Sequence, residues 1–163
     1  MNATLIRKGT IVTTSNEYVG DVLLEQGKIA AIGEHLDMNA DHVVDAEGKY
    51  VLPGGIDQHV HFSFQFNGTS TRGFETSNAA VAGGTTTVIE FVNQVKGKGL
   101  TQSVKNYRRD KADGIAATDY GFHIVMTDPR PEVLDEIPSL VDAGYPTMKL
   151  RSEEHTSELQ SRL

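Results

Sequence analysis

Pro53-Gly54-Gly55-Ile56-Asp57-Gln58-His59-Val60-His61 divides the chain into two kinds of pattern. Upstream, short β-type runs follow one another closely: Thr4-Leu5-Ile6, Thr10-Ile11-Val12-Thr13, Val22-Leu23-Leu24, Lys28 to Ile32 and His42-Val43-Val44. Gly9, Gly20, Gly27, Gly33 and Gly48 punctuate them, which predicts a small antiparallel sheet over 1–52. Glu25-Gln26-Gly27-Lys28 is expected to be a hairpin turn, with Gly27 at positive φ. Downstream, strand and helix patterns alternate.

The quoted stretch is itself a strand candidate. Thr71 to Ala82 predicts a helix closed by Gly83-Gly84. Thr85 to Phe91 is β-branched and predicts a second strand. Leu100, Val104, Tyr107, Lys111 and Ile115 form a helical stripe, and Asp119 to Met126 is a third strand. Val133, Leu134, Ile137, Leu140 and Val141 form a second stripe ending at Gly144, and Pro146 to Leu150 begins a fourth strand. Repeated βα order predicts a parallel sheet, either open and doubly wound or a (β/α)8 barrel. A barrel takes about 250 residues. Three βα units and a fourth strand are less than half of one and leave apolar faces uncovered, so the chain is not expected to be stable alone.

Composition bounds the chemistry. The 163 residues contain 38% hydrophobic and 23% charged residues, which excludes fibrous and wholly disordered chains. Fifteen Lys and Arg against 22 Asp and Glu give a net charge of −7, which disfavours a nucleic-acid partner. With no Cys, a disulfide framework, a thiolate zinc site and a cysteine nucleophile are all excluded. No 18-residue apolar run or basic-apolar leader is present, so the expectation is a cytoplasmic protein without a membrane partner.

On a strand, residues two apart face the same way, so His59 and His61 would present both imidazoles to one spot. Neutral imidazoles placed so can grip one metal ion. Spacing alone favours the plainer reading, two polar residues at a strand end. Position adds weight, because the pair lies at the C-terminal end of the first strand of a βα series, where barrel active sites lie.

The quoted stretch resembles the signature of the cyclic amidohydrolases, most closely the dihydropyrimidinase/hydantoinase family. The resemblance continues through Ala79 to Thr87, Asp119-Tyr120-Gly121-Phe122-His123 and Thr147-Met148-Lys149-Leu150. It implies an α/β chain forming the N-terminal part of a (β/α)8 TIM barrel, residues 53–150. A segment of β-sandwich, residues 1–52, precedes it. It further implies that His59 and His61 bind one zinc of a two-Zn2+ centre, and that Lys149 reacts with CO2 to form the carbamate (N6-carboxylysine) bridging both ions. An ammonium cannot ligate a cation, whereas a carbamate offers two anionic oxygens; Lys149 could otherwise be a lysine snorkelling from a strand end. The family's general-base Asp and two further metal-binding His are not assignable within 1–150, so no catalytic residue is named.

The activity implied is hydrolysis of the cyclic amide of dihydropyrimidines or hydantoins, with a small cyclic amide as partner. The intact protein is expected to be a homo-oligomer, a tetramer in many family members, and the 163-residue chain to be inactive. Allantoinase and dihydroorotase share the same motifs and are alternatives, as is a non-catalytic adaptor related to dihydropyrimidinase. Asp57 either orients a ligand histidine or bonds the turn backbone. His123 is expected in the core or behind the ligands, and His35 and His42 face solvent. Phe62 to Gly73 resembles the family's substrate-gating loop, and Phe64, Phe66 and the adjoining Phe74 are expected either to shape the pocket or to pack the loop down. Arg151 to Ser161 resembles a translated sequencing-adapter oligonucleotide, so 151–163, His155 included, is expected to be foreign to the fold.

Overall fold

The computed structural model describes residues 3–63, 65–66 (backbone only) and 68–150. The expectations for 151–163 with His155, for Phe64 and for the Phe66 ring lie outside the described residues. The chain divides into two compact units at Pro53/Gly54.

The first unit holds β1 (Ala3–Val12), β2 (Glu17–Glu25), β3 (Lys28–Gly33), β4 (His42–Asp45) and β5 (Tyr50–Val51). Gln26 and Gly27, at φ 52 and 74, make the hairpin between β2 and β3 as the turn residues predict. The strands run β3-β2-β1-β4, with β5 also pairing with β1. The sheet is mixed rather than antiparallel, because β4 and β5 lie parallel to β1. The connection after β3 is long enough to return the chain to the same end. Leu36 and Ala40 within it pack on the buried Ala3, Leu5 and Leu23.

The two runs expected at Thr4 and Thr10 are one strand, interrupted by a bulge between Ile6 and Gly9. At the bulge Lys8 takes φ 59 and donates its N–H to Oδ1 of Asp21 at 2.9 Å. Oδ2 of Asp21 accepts the N–H of Leu36 at 3.0 Å. Asp21 is 3% exposed, and the Leu36 and Lys8 amides hold its carboxyl below the usual range.

The second unit begins with β6 (Gly55–Val60) and a small hairpin, β7 (Gln65–Phe66) with β8 (Thr69–Ser70). A single 3-10 turn, Phe74–Thr76, leads into α1 (Ser77–Ala82). Then follow β9 (Thr85–Asn93), α2 (Leu100–Tyr107), β10 (Asp119–Met126), α3 (Pro131–Leu134), α4 (Ile137–Asp142) and β11 (Met148–Leu150). The helical pattern from Thr71 starts late because Gly73 sits at φ 91. The Leu100 stripe is α-helical only to Tyr107 and widens into a π-turn over Arg108–Ala112. The last stripe is two helices, since Pro138 has no N–H to bond back to Leu134.

The four long-range strands order as β6-β9-β10-β11, all parallel. Each lies beside its predecessor, with no reversal of order among the described residues, so the winding is that of a barrel rather than a doubly wound sheet. Val88 and Val92 of β9 and Phe122, Ile124 and Met126 of β10 bury one sheet face against Leu100, Val104, Val133 and Leu140. Each such side chain contributes about 1.5–3 kcal/mol through burial. At the foot of β6 a Cβ on Gly54 would lie 2.0 Å from Oγ1 of Thr86, so only glycine lets the two strands approach there. No described helix is long and apolar enough to cross a membrane.

Candidate metal centre

Strand parity builds the site. Val60 turns toward the helix-side core, so His59 and His61 on either side of it share the opposite face. Their ring centroids are 5.2 Å apart and nearly perpendicular, at 85°. On β9, Glu90 and Val92 are buried on the helix side, and Phe91 between them emerges beside the histidines. The Phe91 centroid lies 4.5 Å from that of His59 and 5.1 Å from that of His61. The ring of His123, from β10, lies 4.9 Å away, and Nζ of Lys149, from β11, is 4.7 Å from the same centroid. Three strands thus bring their side chains onto one phenyl ring supplied by the fourth.

Among the described residues no three His, Asp or Glu side chains form a metal cage. The donor set nevertheless suits part of a two-metal centre. Two imidazoles share one face, and beside them stands a lysine that can donate to a cation only once it is no longer an ammonium. A small cleft lined by His61, Glu90, Phe91, Asn93, Val125 and Lys149 opens at this point.

Asp57 accepts the backbone N–H of His59 at 3.0 Å, so of its two expected roles the bond observed is the one to the backbone. His123 is engaged at both nitrogens, with Nε2 3.0 Å from the carbonyl of Gln58 and Nδ1 at the hydroxyl of Thr147. It ties β6 to β10 across the face, which is work for a structural histidine. His35 and His42 are exposed in the first unit.

Glu90 and Phe91 were not legible as site residues, nor was the part Gln94 plays in the turns beside them. Glu90 is 2% exposed, and burial pushes its carboxyl above the usual range against the opposing pull of the Phe91, Phe62 and Ser63 amides. Oε1 accepts the N–H of Phe91 at 2.8 Å, Oε2 accepts that of Phe62, and Nδ1 of His61 lies 3.8 Å from Oε1. A carboxylate in the apolar run Val88-Ile89-Glu90-Phe91-Val92 was the available signal, since such a group must find partners when buried. Gln94, at the end of β9, accepts the N–H groups of Thr127 and Asp128 and donates to the carbonyls of Lys98 and Asp128.

No protein-family model matches the chain. It is 44% identical over 140 residues to D-hydantoinase of Geobacillus stearothermophilus, covering 85% of this chain and 30% of that protein. To dihydropyrimidinase of Rattus norvegicus it is 38% identical over 154 residues, covering 90% of this chain and 30% of the relative. The solved dihydropyrimidinase of Brevibacillus agri superimposes with a TM-score of 0.82 at 40% identity, covering 90% of this chain and 32% of that structure. The chain therefore spans about 30% of the length of the curated relatives it matches.

Proposed function

We propose that this chain is part of a member of the dihydropyrimidinase/hydantoinase family of cyclic amidohydrolases, and that the whole protein opens the cyclic amide of dihydropyrimidines or hydantoins by hydrolysis. The observation that carries this reading is the meeting of His59, His61 and Lys149 on Phe91 at the C-terminal ends of parallel strands. The two imidazoles, neutral, would hold one metal ion. Lys149, once deprotonated, would add its Nζ lone pair to CO2 and release a proton, giving a carbamate with two oxygens for a pair of ions. When bound, two zinc ions would supply Lewis-acid charge that polarises a ring carbonyl and acidifies a water. Hydrolysis then places hydroxyl on the carbonyl carbon and a proton on the departing ring nitrogen.

Within this reading, residues 1–52 are part of a β-sandwich, residues 53–150 are the first βα units of a TIM barrel, and 151–163 are a non-native sequence derived from an adapter oligonucleotide. The reading extends, on the family resemblance, to a cytoplasmic protein that assembles as a homo-oligomer, a tetramer in many family members.

The test uses the complete protein. Metal analysis is combined with mass detection of N-carbamoyl products from 5,6-dihydrouracil and hydantoin, alongside allantoin and dihydroorotate. Two zinc per protomer and opening of the first two rings are expected. Opening of allantoin or dihydroorotate alone would move the protein to those activities. Neither metal nor turnover would make it an adaptor.

A further inference from the structure

Among the described residues, Glu90 is the buried acid of the second unit that the proposed hydrolysis leaves without a task. It stems from the helix-facing side of β9, between Val88 and Val92, each 1% exposed. An ionised group there is costly unless it is paired or hydrogen-bonded. Its oxygens turn instead to the end of β6. They accept the amide of Phe62, the residue after His61, and the amide of Phe91, the residue whose ring underlies both histidines. Among the described residues, the basic group paired with Glu90 is His61, through Nδ1 at 3.8 Å. Glu90 and His61 also line the same cleft as Lys149. One carboxylate thus touches the backbone on the far side of His61, the backbone of the ring beneath it, and one edge of its imidazole.

We propose that Glu90 is a positioning residue for His61: anchored on the Phe62 and Phe91 amides, it holds the Nδ1 edge of the imidazole and commits Nε2 to the metal. The inference rests on the reading of His61 as a metal ligand. A carboxylate facing Nδ1 favours the tautomer with the proton on that nitrogen, which leaves the Nε2 lone pair for coordination and makes the ring a stronger donor. Losing such a partner typically weakens metal binding 10–100-fold.

The experiment uses the complete protein and zinc under competition from a chelator, comparing the unsubstituted protein with Glu90→Gln and with His61→Ala. Glu90→Gln is expected to bind zinc at least about ten-fold more weakly, while the melting temperature of its metal-free form stays within a few degrees. Equal zinc affinity in Glu90→Gln and the unsubstituted protein overturns the inference and leaves the metal reading standing. Zinc binding unaffected by His61→Ala overturns the metal reading itself and this inference with it. A second measurement needs no Glu90 variant: histidine-selective 15N NMR of the metal-free protein, with the His61 signal assigned by its loss in His61→Ala. A proton on Nδ1 of His61 is expected; the Nε2–H tautomer would overturn the positioning role even if Glu90→Gln fails to fold.

Discussion

The ammonium of Lys149 stands over the ring of Phe91, 4.7 Å from its centroid. The contact joins β11 to β9 and sets the lysine in the same group as His59 and His61, whose rings touch that phenyl from the other side of the strand order. A cation over an aromatic face is worth about 0.5–2 kcal/mol, enough to bias a flexible lysine toward one place.

Lys149→Ala in the complete protein should therefore remove more than a local contact. Zinc affinity is expected to fall by more than the roughly 10–100-fold typical of losing a group that only supports a ligand. Ring opening should fall with it, while melting of the metal-free protein changes little. Metal content after dialysis, read beside the melting curve, checks this. Full zinc occupancy in the variant would remove Lys149 from the centre.

Phe91→Ala takes away the surface shared by His59, His61, His123 and Lys149. Burial of a phenyl is worth about 3–5 kcal/mol in a full core. The ring here is half-buried, so a loss of about 2 kcal/mol is expected, and Phe91→Leu should recover most of it. Urea unfolding of the three proteins measures the difference.

Gln94 satisfies four backbone groups in the turns after β9 and β10. Leucine of similar size at this position strands two amides and two carbonyls. At about 1–3 kcal/mol for each buried group left without a partner, less whatever water restores, about 3 kcal/mol is the expected cost. Hydrogen exchange should accelerate first at the amides of Thr127 and Asp128; unchanged protection there would contradict the assignment.

Asp21 predicts an acid limb in the stability of the first unit. Its folded carboxyl titrates below the ordinary 3.8, because the Leu36 and Lys8 amides favour the anion. The stabilisation is therefore fully present above about pH 4 and is lost as pH falls through the depressed folded value. Asp21→Asn should lower stability at neutral pH by about 1–3 kcal/mol and flatten the dependence below pH 4. Denaturant titrations between pH 2 and 7 test both. A variant with the same slope as the parent would assign the acid limb to other groups.

Local chemistry determined what could be read along the chain. The period of two along Gly55 to His61 put both histidines on one face, and the Gln26-Gly27 pair made its turn from φ preferences alone. Strand β10 runs over Asp119–Met126 as its apolar pattern predicted. The barrel-type order of the parallel sheet required tertiary pairing, since the same βα alternation serves a doubly wound sheet. Tertiary pairing also decided the parallel return of β4 and β5 onto β1. It alone brought Phe91 beneath groups from three other strands and turned a buried Glu90 toward an amide 28 residues away. The physical reason is range: parity and turn preferences act within a few bonds, whereas a partner across a sheet is chosen by burial and hydrogen bonding summed over the whole fold.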